Sequence, residues 1–299
     1  MTDAAMVSPR GEVKGRSLWA DARRRFLRNR AAVAGLVVLA VVTLLSFGAP
    51  FLGLRAPDDI NWDMISAPPD YAQGYYFGTD QNGRDLFVRT LYGGQVSLMV
   101  GLVATLVSLV IGTLWGASAG YLGGRIDNVM MRIVDILYSI PFVFFVILLT
   151  VAIPRNFIAP TMLMYLAIGA VSWLDMARIV RGQTVSIRRK EFIEAAHASG
   201  VSSWHIITRH IIPNCLGPVV VYMTLTVPAV ILTESFISYL GMGVQEPDSS
   251  WGTLISEGVN AMEVAPWAVI YPSGVMVVTL LALNFVGDGL RDALDPKDR

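Results

Sequence analysis

Long apolar runs alternate with shorter polar connections along most of the chain. A helix of about 20 residues crosses the roughly 30 Å hydrocarbon core of a bilayer. By this criterion the pattern predicts six transmembrane helices, at residues 31–54, 96–124, 133–153, 156–174, 211–233 and 264–287. The sequence therefore predicts an all-α integral membrane protein.

The polar connections divide the rest of the chain into a few segments. They predict a basic N-terminal tail at 1–30, an outer loop at 55–95, a five-helix core at 96–290 and a C-terminal tail at 291–299. The core carries one polar segment, residues 184–213. Within the outer loop, FGTDQNGRD at 77–85 predicts a tight turn before a helix, because Asn-Gly tolerates positive φ. We expect this loop to pack on the bundle or on a partner, since it is too short for a core of its own.

Composition supports the membrane interpretation and narrows the partners. The chain has 299 residues, of which 54% are hydrophobic and 15% charged, whereas soluble proteins carry about 25% charged residues. Its formal net charge is zero, which gives no indication of a nucleic-acid partner. The single cysteine, Cys215, cannot form a disulfide within the chain.

The distribution of Lys and Arg predicts the orientation. If the N-terminus is cytoplasmic, the outer connections hold only Arg55, Arg84, Arg89 and Arg155 of the 23 basic residues, which leaves 19 inside. Cytoplasmic connections carry such an excess in membrane proteins. The sequence therefore predicts that both termini are cytoplasmic. The RRRFLRNR cluster at 23–30 then lies beside lipid headgroups directly before the first span, which favours an anchor over a nucleic-acid site.

Several chemistries lack the residues that they need. None of the three lysines follows a glycine, so no P-loop surrounds a phosphate, and the chain is not predicted to be an ATPase. HExxH and paired cysteines do not occur, and no Gly-x-Ser-x-Gly forms a nucleophile elbow, because the match at 116–120 lies inside a predicted span; we therefore assign no catalytic residue, metal or cofactor to this chain. An ion-driven secondary transporter and a membrane enzyme or assembly factor remain alternatives, although no inverted repeat supports the former.

The polar segment at 184–213 predicts two helices on the cytoplasmic surface. The first runs from Thr184 without Gly or Pro until Gly200, a favoured helix terminator. Ser202 or Ser203 can cap the second, which runs into Pro213 at the membrane edge.

One face of the first helix carries small side chains beside an aromatic ring. Phe192, Ala195, Ala196 and Ser199 share this face at helical spacing. Two interpretations remain open on physical grounds. The face rests on the bundle, or it fits a cleft of a cytoplasmic partner, with Glu194 directed at that partner's polar rim.

Residues 194–213 resemble the EAA loop of permease subunits of bacterial ABC importers. Glu194, Ala195, Ala196, Gly200 and Pro213 stand at the family's spacing. Two positions depart mildly, with His at 210 where many members have Ile and Ile at 212 where many have Leu. FGTDQNGRDLFVRTLYGG, WLDMARIVRGQ and LTESFISYLGMGVQEPDSSWG are similar to further signatures of the dipeptide, oligopeptide and nickel branch. The resemblance covers nearly the whole chain and best fits a C-type permease.

The resemblance implies a type I importer permease fold in the bacterial inner membrane and a function in dipeptide or oligopeptide import. It implies a heterodimer with a second permease, two ATPase subunits that hold ATP and Mg²⁺, and a periplasmic or lipid-anchored binding protein. The helix ending at Gly200 would be the coupling helix, with Phe192, Glu194, Ala195 and Ala196 toward the ATPase. Nickel chelates and glutathione are alternative cargoes of this branch.

Polar side chains in or beside the apolar runs are further candidates. Glu234 follows the fifth span and is a candidate for the pathway or the contact between permeases, as is Asn284, which could instead join two helices. Asp175 and Arg178, at i and i+3, are predicted to pair near the interface.

Overall fold

The computed structural model describes residues 18–153 and 160–294 and shows an almost wholly helical chain. Parts of both predicted tails and the start of the predicted fourth span lie outside these residues. The helices are α1 Leu18–Arg28, α2 Arg30–Gly48, α3 Leu86–Val107, α4 Thr113–Leu122, α5 Gly124–Ser139, α6 Phe142–Ala152, α7 Pro160–Arg188, α8 Glu191–Ala198, α9 Ser203–Ile206, α10 Ile212–Tyr239, α11 Trp251–Asn260 and α12 Trp267–Leu294. The described residues form no β-sheet, only isolated bridges in the outer loop. The predicted all-α class is confirmed.

Five stretches of the described chain are long and apolar enough to span a membrane: Arg30–Phe51, Leu86–Leu122, Thr161–Arg188, Ser203–Tyr239 and Trp267–Leu294. Each overlaps a predicted span, but the second begins ten residues before the predicted position 96. Asp85 begins this helix by accepting hydrogen bonds from the backbone N–H groups of Phe87 and Val88. The predicted outer loop therefore ends at Asp85, ahead of the Leu-Phe-Val-Arg turn.

The predicted third span, 133–153, is not one continuous helix. It is divided between α5 and α6, with Ile140 in an extended conformation at the break. Pro141 lacks an N–H and disfavours the helical conformation for the residue before it, so the chain turns here. Pro218, Pro228 and Pro272 instead lie inside long helices, as expected in a membrane bundle. A count of six spans stays a prediction.

Helix α4 lies very close to α7, because glycines recur every fourth residue on the facing side. A Cβ at Gly112, the residue directly before α4, would be 2.6 Å from Met176 Cβ, and one at Gly120 would be 2.8 Å from Thr184 Cβ. Small residues at this spacing let membrane helices approach closely. Helix α10 packs between α3 and α12, and α2 lies along α12.

The outer loop packs on the bundle, as the sequence predicts. The indole N–H of Trp267 donates to the carbonyl of Thr79 at 3.2 Å, and the Phe77 and Tyr271 rings stack with centroids 4.4 Å apart. Helix α11, which the hydrophobic pattern did not predict, lies against α12 and α10 on the same side. A reciprocal capping box between Ser250 and Thr253 begins it.

Candidate functional site

The 184–213 segment is anchored to the bundle by apolar side chains. Ile193 of α8 is 3% exposed and lies in a cluster with Ile206, Ile207 and Ile211 from the following turns. Met176, Val180 and Ile187 of α7 and Val219 of α10 also belong to this cluster. The segment is therefore attached to two spanning helices at once, and a displacement of α8 must move both or break the cluster.

The first predicted helix is shorter than expected. The prediction of a continuous helix from Thr184 to Gly200 is wrong, because α7 ends at Arg188 and α8 begins at Glu191. Lys190 is extended between them, with φ −85° and ψ 143°. The break turns the chain so that Ile193 reaches the cluster under α8, and this burial outweighs the weak preference of the sequence for continuing the helix.

Gly200 ends α8 in a left-handed conformation, with φ +75°, which confirms that part of the prediction. Its N–H donates to the carbonyl of His197 at 3.0 Å, and the N–H of Val201 donates to the carbonyl of Ala196 at 3.2 Å. This pair of bonds is the Schellman motif. An added Cβ at Gly200 would contact nothing within 4 Å, so backbone conformation rather than space selects glycine in this chain.

The second predicted helix does not stop at Pro213. Ser202 occupies its N-cap position, without a side-chain capping bond, and the helix continues from Ser203 to Tyr239. It is therefore continuous with the predicted fifth span, 211–233, and Pro213 does not interrupt it. A π turn at Ile207–Ile211 precedes the proline, which therefore lies in the first turn of α10, where a missing N–H costs little.

The surface of α8 that faces away from the bundle has no covering within the described chain. Phe192 is 41% exposed, and Glu194 and Ala195 are also exposed. Trp204, at the start of the next helix, is 61% exposed. Ala196 is half-buried on the side of Ile193. The predicted small face is therefore divided, since Ala196 rests on the bundle while Phe192 and Ala195 do not.

Helix α8 itself carries two acidic side chains. Glu191 and Glu194 lie in its first turn, where carboxylates interact favourably with the helix dipole. No ion pair involving either forms among residues 18–153 and 160–294. The rings of His205 and His210 are 6.5 Å apart, but the described residues contain no group of three His, Cys, Asp or Glu that could hold a metal.

Glu234 lies near the other end of the same long helix, 21 residues beyond Pro213, or about 30 Å along an α-helix. It is fully buried within the chain. The hydroxyls of Ser97 and Ser238 donate to its carboxylate at 2.9 and 2.7 Å. Ser97 in turn accepts from the N–H of Trp251 at 3.2 Å, so Glu234 links α10 with α3 and α11.

An ion-pair network at the outer end joins the start of α3 to α11, and sequence reasoning missed it. Arg89 is 1% exposed and donates to Asp80 and Glu257, both at 2.6 Å. Arg84 donates to Asp80 and Glu246, both at 2.8 Å. We call Asp80, Arg84, Arg89, Glu246 and Glu257 the outer network. The sequence does contain a signal for it: the outer loop holds a few arginines, and residues 211–290 hold Glu246 and Glu257 but no Lys or Arg.

Burial and neighbouring charges shift the pKa values of two groups at this end, Arg84 and Asp85. Burial alone would lower the pKa of the Arg84 guanidinium, but the charges of Asp80 and Glu246 together raise it above its ordinary value. Burial also raises the pKa of the Asp85 carboxyl, although N–H donors and Arg55, at 3.1 Å, act in the opposite direction. Arg84 is therefore held in its charged form.

Two polar positions within the spans differ from expectation. The predicted Asp175–Arg178 pair is wrong, because Arg178 donates to Asp135 of α5 at 2.9 Å and lies 4.2 Å over the Tyr138 ring. One neighbouring helix thus offers both an ion pair and a cation–π contact. Asn284 is exposed on α12, and its side chain makes no hydrogen bond to the described residues, so the predicted bond between helices does not form within this part of the chain.

Two families match the chain. Residues 112–299 match the family described as "Binding-protein-dependent transport system inner membrane component". Residues 17–69 match "N-terminal TM domain of oligopeptide transport permease C". The matched regions include the 184–213 segment and the first span, respectively.

Curated relatives align over almost the full length. "Oligopeptide transport system permease protein OppC" of Escherichia coli (strain K12) is 60% identical over 288 residues, 96% of this chain and 94% of the relative. The protein of the same name from Bacillus subtilis (strain 168) is 42% identical over 96% of this chain and 92% of its own. "Dipeptide transport system permease protein DppC" of Bacillus subtilis is 41% identical, covering 93% and 86%.

A solved structure shares the fold. A chain from the inward-facing "MetNI methionine ABC transporter" superposes with a TM-score of 0.56 at 18% identity, covering 70% of this chain and 96% of that one. At this identity the similarity concerns the fold alone.

Proposed function

The chain belongs to the family of inner membrane components of binding-protein-dependent transport systems, and we propose that it is one permease subunit of an ATP-driven importer of oligopeptides. In this proposal it forms the translocation pathway with a second, different permease. A substrate-binding protein delivers peptide from outside, and two ATPase subunits bind at the cytoplasmic side, one of them at the 184–213 segment.

The observation that carries the coupling role is the two-sided character of α8. The side of α8 that carries Ile193 is buried in a cluster shared with α7 and the Ser203–Tyr239 helix. The opposite side, which faces away from the bundle, exposes Phe192, Glu194 and Ala195. A subunit that binds this exposed side would move both long helices as a rigid body. Phe192 would fill an apolar cleft, Glu194 would face its polar rim, and Ala195 would permit close approach.

The other predicted residues take supporting roles in this proposal. Ala196 and the Gly200 turn set the angle at which α8 meets its partner, and Pro213 marks the first turn of α10. ATP and Mg²⁺ belong to the ATPase subunits, because no lysine of this chain stands in a P-loop. The chain itself contributes no catalytic residue.

Asn284 supports a contact with the second permease. It is exposed on a spanning helix, and an amide there is satisfied by a protein partner or by water rather than by lipid. Glu234 is buried inside the chain, so we propose that it acts on the pathway indirectly, by holding α10 against α3.

Peptides are the proposed cargo because the full-length relatives are named for oligopeptide and dipeptide transport. The test is to reconstitute the two permeases and two ATPase subunits in proteoliposomes with the binding protein. We expect tripeptide uptake to require ATP and to persist when ionophores collapse ion gradients. Uptake driven by an ion gradient without ATP would contradict the proposal, and uptake of only nickel chelates or glutathione would correct the cargo.

We also propose that both termini are cytoplasmic. The 19 to 4 distribution of basic residues supports this orientation. Ala72→Cys, in the exposed outer loop, should react with a membrane-impermeant maleimide in spheroplasts. The native Cys215 is buried and gives a low background. Labelling of Ala72→Cys only after lysis would contradict this orientation.

A further inference from the structure

A groove of about 490 Å³ opens between α6, α7 and α10. Pockets for small molecules have volumes of roughly 300–1,000 Å³. Its apolar lining is ordinary for a membrane helix, but five lining residues carry hydroxyl or carboxyl groups: Ser172, Asp175, Tyr222, Thr226 and Thr233. A surface facing lipid does not concentrate such groups, so the groove faces water or protein.

Asp175 gives the groove its charge. It lies near the middle of α7, is half-buried, and has no Lys, Arg or His within ion-pair distance among the described residues. Arg178, one turn along the helix, is held by Asp135 and Tyr138. A carboxylate within a span pairs with a cation or lines a water-filled path. The described chain supplies no such cation.

Three of the four hydroxyl groups around Asp175 add acceptors to the groove, while that of Tyr222 hydrogen-bonds with Asp175 itself. Ser172 donates its proton to the carbonyl of Ile168 at 2.7 Å, and Thr226 donates to that of Tyr222 at 2.9 Å. Thr233 donates to the carbonyl of Ala229 at 2.8 Å. Since a hydroxyl has one proton and two lone pairs, these three groups can only accept further hydrogen bonds.

We propose that this groove is a subsite on the translocation pathway for the ammonium or guanidinium groups of a passing peptide, with Asp175 as the charged acceptor. The proposal rests on the proposed function in peptide import. Cations rich in N–H donors match a carboxylate bordered by hydroxyl acceptors, whereas a peptide carboxylate would be repelled. Because Asp175 is partly exposed to solvent, the cation is bound weakly enough to move on.

The experiment compares uptake of Ala-Lys-Ala, Ala-Ala-Ala and Ala-Glu-Ala by the complete reconstituted transporter. Each ratio is compared between wild type and Asp175→Asn with the same binding protein, so selection by that protein cancels. We expect Asp175→Asn to lower the Ala-Lys-Ala to Ala-Glu-Ala ratio by about twofold to fivefold, the scale of a partly solvated ion pair. Thr233→Val should lower it less and in the same direction.

Asp288→Asn is the matched control, because it removes one carboxylate at an exposed position on α12 outside the groove. Its ratio should equal that of wild type. An unchanged ratio in Asp175→Asn overturns the proposal. If all three peptides slow equally and the second permease no longer co-purifies, Asp175 pairs with a cation of that subunit, which also overturns it. If wild type imports none of the peptides, the proposed function itself fails, and the subsite falls with it.

Discussion

The outer network and the 184–213 segment lie toward opposite ends of the 37-residue helix Ser203–Tyr239, and they satisfy their polar groups in opposite ways. In the outer network the charged groups pair within the chain, and Arg89 is 1% exposed. In the 184–213 segment Phe192 and Trp204 are 41% and 61% exposed, and the carboxylates of α8 have no ion-pair partner among the described residues.

This difference indicates two roles: the outer network stabilises the fold, whereas the 184–213 segment presents a contact surface. The outer network connects the outer loop, the start of α3 and α11, and all of its charged groups belong to this chain. The 184–213 segment is also anchored to the bundle, by the cluster around Ile193. The surface of α8 that faces away from the bundle, however, contacts no described residues. Substitutions at the outer end should therefore act on folding, whereas substitutions on the surface of α8 should act on assembly and coupling.

The largest expected effect comes from Arg89→Met at the outer end. It leaves the buried Asp80 and the partly exposed Glu257 with one positive charge fewer, and breaking a buried ion pair costs about 3–5 kcal/mol. We expect the low end of this range, because Arg84 still contacts Asp80. The thermal unfolding midpoint of the purified complex and its abundance in the membrane should both fall.

Arg55→Met is the matched control at the same end. Arg55 pairs with the buried Asp85, but its own side chain is 38% exposed and screened by water, so we expect a smaller loss, about 1 kcal/mol or less. If the two variants lose equal stability, burial does not determine the importance of these pairs and the comparison fails at its outer half.

Gly200→Val should have the next largest effect, on transport rather than on insertion. A β-carbon at φ +75° costs on the order of 1 kcal/mol, and valine also enlarges the turn beside α8. We expect near-normal amounts in the membrane, with loss of uptake and weaker co-purification of the ATPase subunits. Gly200→Asn is the control, because asparagine tolerates positive φ, and it should retain more uptake than Gly200→Val. The reverse order would show that the turn geometry is not what matters.

Glu194→Lys should act more narrowly. The charge is exposed and unpaired among the described residues, so the variant should fold normally but present the wrong sign to the ATPase subunit. Substrate-stimulated ATP hydrolysis by the complex should fall by several-fold, with Glu194→Gln between it and wild type. Wild-type hydrolysis in Glu194→Lys would exclude an electrostatic role for this residue.

The smallest expected effect concerns pH at the outer end. Burial raises the pKa of Asp85 above 3.8, so the folded state binds a proton more readily than the unfolded state. Stability should therefore fall as pH rises from about 3.8 through the raised pKa of the folded state. Asp85→Asn keeps a capping oxygen and should remove this part of the pH dependence in thermal unfolding series. An identical pH dependence in both proteins would exclude Asp85 as its source.

Much of this organisation could be predicted from local sequence. Apolar runs locate the five long helices of the described chain, and Gly200 predicts the left-handed turn because few residues adopt that conformation at low cost. The spacing of Glu194, Ala195 and Ala196 locates α8, and its exposed position agrees with a role as a contact surface.

Other features depend on contacts distant in sequence. The break after Arg188 follows from burying Ile193 against several helical segments that are distant in sequence, which no local pattern reports. The outer network joins Arg89 to Glu257, 168 residues away, and Arg178 pairs with Asp135 on another helix instead of the adjacent Asp175. Pairings across a bundle require the topology first, so charge complementarity between segments was the only available signal.

The most direct test of the central claim is photocrosslinking from the exposed ring position of α8. Phe192→p-benzoylphenylalanine places a reactive aromatic group on this surface in the complete transporter, and Trp62→p-benzoylphenylalanine, at a 74% exposed site in the outer loop, is the control. We predict that the Phe192 variant crosslinks to an ATPase subunit and that the Trp62 variant does not. Crosslinking of the Phe192 variant only to the second permease or to the binding protein, or equal ATPase adducts from both sites, would contradict the account.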